Sequence, residues 1–144
     1  METNKNIVYE LGLKNVEFTG WLSQEDLNRK IAEAGICLGA FSDSIKADIT
    51  IQNKIFEALF SGRAVVTART TAIRELLEDR KNCLLCNKAD PDDLAIKILE
   101  LKNNPDLKNK ISQNGHDLFI ENLSENKLGE MLIKVIADVI EKHN

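Results

Sequence analysis

The chain alternates two hydrophobic periods. Short apolar runs of about four to six residues, which suit strands, are separated by stretches repeating at i, i+3 and i+4, which suit helices. Asn4 to Leu13 reads as the end of a helix, stopped near Gly12. Val16 to Gly20 predicts a short strand entering the loop Trp21-Leu22. Ser23 is placed to cap a helix from about Gln24 to Ala34, with Glu25 and Asp26 in its first turn. Gly35 to Ala40 is a continuous apolar run, the pattern of a strand buried on both faces. A polar loop, Ser42 to Thr50, follows.

The next segment is the most informative. From Thr50 to Val66 the pattern predicts a short helix, a glycine stop at Gly62 and an immediately following buried strand from Ala64 to Thr67. At about 3.6 residues per turn, Asn53, Lys54, Glu57 and Ser61 share one narrow polar arc. Ile55, Phe56, Ala58, Leu59 and Phe60 fill the rest of the wheel. A helix apolar over most of its circumference is wedged into a protein, so its polar stripe opens onto water or onto a ligand. Thr70 or Thr71 is placed to cap a helix through Leu77, and Cys83 to Cys86 forms the last short strand. Asp90-Pro91 opens a helix to about Lys102, and Pro105 opens another through Phe119. Ser124 is placed to cap a final helix in which Leu128, Met131, Leu132, Val135, Ile136, Val139 and Ile140 form one stripe.

Alternation of strands and helices indicates an α/β fold with a parallel sheet. Ligands of such sheets bind beyond the carboxyl ends of the strands. Thr19 to Leu22, Ser42 to Thr50 and Thr67 to Thr71 fall there. The polar stripe begins at a helix N-terminus after the second of these loops, where unpaired N–H groups suit a phosphate. Glu57, one to two turns further on, is placed to accept both hydroxyl protons of an attached ribose. Periodicity alone favours a stripe facing water; this geometry shifts the balance toward a nucleotide site.

Composition narrows the class without changing it. A length of 144 residues, 43% of them apolar and 29% charged, fits one globular domain. A net charge of −4 and the absence of a basic run with aromatics give no field for nucleic acid. No apolar run approaches the ~20 residues of a membrane span, and the start lacks a signal-peptide core; a cytoplasmic location is the default expectation. Cys83 and Cys86 are three apart on a strand and point to opposite faces, so they read as buried hydrophobes rather than a redox or zinc pair. His116 reads as a surface helix residue and His143 as part of a frayed terminus.

Taken together the motifs resemble the C-terminal, nucleotide-sugar-binding domain of the retaining GT-B-fold glycosyltransferases of the group 1 (family 4) type. Asn15-Val16-Glu17-Phe18-Thr19-Gly20-Trp21-Leu22 is similar to that family's N-V-x-F-x-G strand and loop. Asn53 to Val66 is similar to its N-K-x-x-E-A-L-A-x-G-x-P-V-V segment. Ile73-Arg74-Glu75-Leu76-Leu77 and Asn82-Cys83-Leu84-Leu85-Cys86 are similar to the x-x-E-L-L and N-x-L-L-v elements that follow. The resemblance implies a Rossmann-like sheet binding a UDP- or GDP-sugar as donor substrate, without a metal or other cofactor. It implies that Glu57 holds the ribose, that Gly20, Trp21 and Leu22 lie near the base, and that Gln52, Asn53 and Lys54 line the diphosphate.

Two departures from the family pattern qualify it. Where a Glu-x7-Glu pair often occurs, Ile49 stands eight residues before Glu57, with Asp48 beside it. The strand–helix–strand that opens a full domain, with its basic clamp, is absent, as is the acceptor domain. Residues 1–144 therefore read as a single partial domain, inactive alone and needing an acceptor domain or partner chain. The Val16 strand would pair with a remaining strand or meet another chain. The final helix is expected to find cover within the domain or in a homodimer, and a membrane-peripheral position of the complete enzyme is compatible with the cytoplasmic expectation. The alternative is a non-catalytic assembly module with a relic nucleotide site.

Overall fold

In the computed structural model, which describes residues 2–142, eight helices and three strands alternate in the order expected of an α/β chain. They are α1 (Glu2–Glu10), α2 (Gln24–Glu33), β1 (Ile36–Leu38), α3 (Ile45–Asp48), α4 (Asn53–Phe60) and β2 (Ala64–Ala68). After them come α5 (Thr71–Leu76), β3 (Leu84–Cys86), α6 (Pro91–Asn103), α7 (Pro105–Asn122) and α8 (Glu125–Lys142). His143 lies outside the described residues.

The sheet is parallel with strand order β1-β2-β3. Cys37 lies opposite Val65 and Thr67 opposite Leu85. All five residues of β2 are buried, as a central strand covered on both faces requires. Successive side chains separate the two layers of the core. On one face Val65, Cys83 and Leu85 meet Ile55, Ala58 and Leu59 of α4, Ile73 of α5, and Leu118 and Phe119 of α7. On the other, Ala64, Val66 and Leu84 meet Leu101 of α6 and Ile111 of α7. Helix α7 contributes to both layers.

Local chemistry sets the element ends. Ser23 accepts from the Asp26 amide and Asp90 from Asp93, so α2 and α6 are capped as their sequences predict; of the two threonines offered for α5, Thr70 is the cap, accepting from Ile73. At the end of α4 the Gly62 amide bonds to Leu59 O and the Arg63 amide to Ala58 O. This is a Schellman motif, with Gly62 at φ 61° in the left-handed region. Cys83 shares a face with Leu85, and Cys86 lies on the opposite one with Leu84. Burial pushes the Cys83 thiol up to about 12, which suits an inert core residue.

Three expectations are corrected. Residues 16–20 form no strand; Val16 and Phe18 are exposed. A strand exists through its ladder, and among the described residues this segment has no neighbour to supply one. It is held instead by a Glu17–Lys30 ion pair at 3.4 Å and by Lys5 over the Phe18 ring. The Gly35–Ala40 run is not buried on both faces: β1 is an edge strand and Leu38 is 43% exposed. The polar loop from Ser42 to Thr50 contains a one-turn helix, α3, capped by Ser44. Packing within the domain does not cover the apolar stripe of α8, where Leu128, Met131, Leu132, Val135 and Ile136 are exposed.

Leu59 is fully buried beneath β2 and α7. Leu59→Ala is expected to lower the unfolding free energy by about 2–5 kcal/mol in chemical denaturation. Gly62→Ala, which forces a side chain into the left-handed region, is expected to cost about 1 kcal/mol.

Candidate nucleotide-binding end

The carboxyl ends of the three strands carry three loops: residues 39–52 after β1, 69–70 after β2 and 87–90 after β3. At the first of them the backbone packs without room for a side chain. A Cβ on Gly39 would lie 2.2 Å from Thr67 Oγ1 and 2.8 Å from Ile55 Cδ1. This close approach seats the start of the loop against β2 and α4.

Helix α4 rises from the end of this loop. Asn53 and Lys54 are exposed and Glu57 is half-buried, so the polar stripe read from the sequence is a real outer face. The Glu57 carboxylate makes no hydrogen bond or ion pair among the described residues. The Lys54 ammonium donates to Gly39 O, and desolvation there lowers its pKa. Gln52 occupies the N-cap position without capping the helix; its Nε2 donates to Thr50 O at 3.0 Å. The Gln52 Oε1 is buried and unpartnered among the described residues. Of the first-turn amides, that of Ile55 donates to Gln52 O at 2.9 Å, which leaves those of Asn53 and Lys54 as the unpaired donors of the helix start among the described residues.

The other expected site residues lie before α2. Gly20 has φ 68°, Leu22 is half-buried and Trp21 is 99% exposed. Helix α2, which follows this segment, packs against α4. No hydrogen bond joins Gly20, Trp21 or Leu22 to Gln52, Asn53, Lys54 or Glu57 among the described residues. Glu75 is exposed on α5.

A cluster that sequence reasoning did not assemble ties this end together. Asp48 Oδ1 accepts from Lys88 Nζ at 2.6 Å and from the Thr71 amide at 3.4 Å. Its Oδ2 accepts from Thr71 Oγ1 at 2.7 Å. The hydrogen bonds from Lys88 and then from Thr71 hold the Asp48 carboxyl below the usual aspartate value. Beside Lys88, the Ala89 amide donates to Phe41 O at 2.7 Å with Ala89 at φ 51°. A non-glycine residue in that region costs about 1–2 kcal/mol and persists only where its surroundings hold it. Lys88 is 40 positions from Asp48, so no local spacing could pair them.

A cavity of about 540 Å³ lies at the opposite, amino end of the sheet, lined by Arg63, Lys108 and His116 among others. Two of these residues serve the end of α4: Arg63 Nε donates to Ser61 O, and His116 Nδ1 lies 2.9 Å from Phe60 O. His116 is thus a helix-terminus partner. No group of three or more acidic, His or Cys side chains suited to a metal ion occurs among the described residues. No helix among them is long and apolar enough to cross a membrane.

The sequence matches the model of the family described as glycosyl transferases group 1 over residues 2–104. An uncharacterized glycosyltransferase of Methanocaldococcus jannaschii is 36% identical over 61 residues, which is 42% of this chain and 17% of that protein. HepE of Anabaena, solved in complex with UDP-glucose, has a TM-score of 0.82 at 19% identity, over 95% of this chain and 36% of HepE. Sucrose-phosphate synthase of Thermosynechococcus elongatus has a TM-score of 0.82 at 16% identity, over 98% of this chain and 34% of that one. The C-terminal domain of LpcC, a glycosyl transferase group 1 family protein of Francisella tularensis, gives 0.69 at 22% identity, over 83% of this chain and 60% of that one. The fold is the Rossmann-like one of GT-B glycosyltransferases, and the chain spans about a third of HepE and of the synthase.

The Asp48 carboxyl is expected to titrate below the ordinary aspartate value of 3.8, followed by carbon NMR. Because its folded-state value is depressed, its bonds to Thr71 and Lys88 contribute fully above that ordinary value. Their contribution is lost as the pH falls through the depressed one. Lys88→Ala removes the largest cause and is expected to move the titration back up; an unmoved midpoint would contradict the assigned contact.

Proposed function

The chain belongs to the group 1 glycosyl transferases, and on that premise we propose that it is the donor-binding half of a larger sugar-transferring enzyme. The donor is a nucleoside diphosphate sugar, UDP- or GDP-linked, seated at the carboxyl end of the sheet. The observation that carries the reading is Glu57, a half-buried carboxylate with no partner of its own among the described residues, one to two turns along α4 from its N-terminus.

In this reading the diphosphate sits at the α4 N-terminus, where backbone amides and the helix dipole favour negative charge. Asn53 lies beside it, and Lys54 is near enough to add charge by leaving Gly39 O. Glu57 accepts from both ribose hydroxyls, two charge-assisted hydrogen bonds that fix the sugar end. Gly20, Trp21 and Leu22 flank the base, and the exposed indole of Trp21 offers it an apolar face. The Gln52 Oε1 is a spare acceptor near the same helix start. Transfer breaks the bond between the anomeric carbon and the diphosphate oxygen, which leaves with the electron pair. The acceptor hydroxyl oxygen forms the new glycosidic bond, with retention of configuration, and its proton passes to the departing diphosphate oxygen. Donors aimed at the departing diphosphate stabilise the charge that develops there.

The complete enzyme requires an acceptor-binding part, so this chain alone is proposed to bind donor without transferring sugar. HepE has been solved with UDP-glucose and with UDP, which supports a UDP-type donor for the shared fold. A second reading is favoured by the exposed apolar stripe of α8: a homodimer formed through that helix. Burying each large side chain is worth about 1.5–3 kcal/mol, a strong incentive for cover.

Calorimetric titration with UDP, GDP and their sugars tests the donor site. The wild-type chain is expected to bind at least one, and Glu57→Ala to weaken binding by about ten- to a hundredfold with an unchanged unfolding midpoint. No wild-type binding at millimolar nucleotide would favour an assembly module with a relic site. Turnover by the chain alone would overturn its proposed inactivity. Sedimentation is expected to show self-association abolished by Leu132→Asp; a monomer at every concentration removes the dimer.

A further inference from the structure

We propose that Asp48 is a positioning residue whose carboxylate clasps the three loops at the carboxyl end of the sheet and so sets the N-terminus of α4 for a nucleoside diphosphate. The inference rests on the donor-site reading above. Its basis is that one side chain reaches all three loops. Asp48 belongs to the segment after β1, Thr71 follows the loop after β2, and Lys88 lies in the loop after β3.

Burial cannot hold this segment. In α3 only Ala47 is buried; Ile45 is 81% exposed, and Ile49 just after it is 69% exposed. The polar clasp supplies what apolar packing does not. Both Asp48 oxygens are engaged, Oδ1 by Lys88 and the Thr71 amide and Oδ2 by the Thr71 hydroxyl. The Phe41–Ala89 backbone bond fastens the other end of the same segment to the same turn.

The tether to the helix is short. Residues 49–52 alone separate Asp48 from the first residue of α4. Ile51 in this tether packs against the core beside Ile55 and limits its freedom further. A shift of Asp48 therefore passes to Gln52 and to the first amides of α4. With both its oxygens engaged, Asp48 serves the site through the loop it holds and not by touching the donor sugar.

The test compares Asp48→Ala, Thr71→Val, the double variant and Thr71→Ser. UDP affinity by calorimetry and amide hydrogen exchange over residues 45–52 are the readouts. Each single loss is expected to weaken UDP binding about tenfold and to speed exchange over 45–52. The double variant is expected to be no weaker than the worse single one, because both remove one shared interaction. Thr71→Ser keeps the hydroxyl and is expected to keep wild-type affinity and protection.

A merely structural role would lower the unfolding midpoint of Asp48→Ala and leave the affinity of the folded protein unchanged, which overturns the proposal. Unchanged exchange over 45–52 in Asp48→Ala overturns it as well. If wild type binds neither UDP nor GDP, the donor reading fails, and the clasp falls with it as a ligand-positioning device even where exchange shows that it orders the loop; if it binds GDP alone, GDP replaces UDP as the probe in every arm.

Discussion

The pairing of β2 between two parallel neighbours is the constraint from which the other features follow. Its five residues are buried on both faces, so each flanking layer must present a complete apolar surface to it. Helices α4 and α5 do so on one side, and α6 on the other. Parallel pairing also sends every strand in the same direction. The loops after β1, β2 and β3 are thereby gathered at one end although 40 residues separate Asp48 from Lys88.

The two ends of the sheet are consequently unlike. At the amino end α7 crosses between the layers and closes against the end of α4. There Gly115 lies against Leu59 and Asn82, and His116 meets the Phe60 carbonyl. At the carboxyl end polar loops are tied by hydrogen bonds and face outward. Helix α4 connects the two: its C-terminal carbonyls are satisfied by the Schellman motif and by His116, while its N-terminus stays on the open side. The dipole and unpaired amides of a helix start favour negative charge at that open N-terminus. In the cavity at the other end of the sheet, Arg63 and His116 serve backbone carbonyls at the end of α4.

Much apolar surface lies outside this core. Tyr9 and Leu11 at the start of the chain, Trp21, the edge residue Leu38 and the stripe of α8 are all exposed. These surfaces surround a core built by β1 to α7, and the chain spans about a third of HepE and of sucrose-phosphate synthase. The sheet, the α4 polar face and the clasp belong to that core and owe nothing to the outlying surfaces.

The sequence by itself determined the elements whose cause is local. The glycine stop at Gly62, the caps at Ser23 and Asp90, the buried β2 run and the polar arc through Glu57 were all legible, because each depends on neighbours within a turn or a strand. The motif order was legible too, and it pointed to the family. What depends on distant partners was not. Val16 to Gly20 has the composition of a strand but no ladder to join, and Gly35 to Ala40 has the composition of a central strand at a sheet edge. Asp48 looked like a displaced ligand acid when only its distance from Glu57 could be counted. Tertiary structure alone decided that it faces Thr71 and Lys88, because parallel strands bring together loops that no sequence spacing relates.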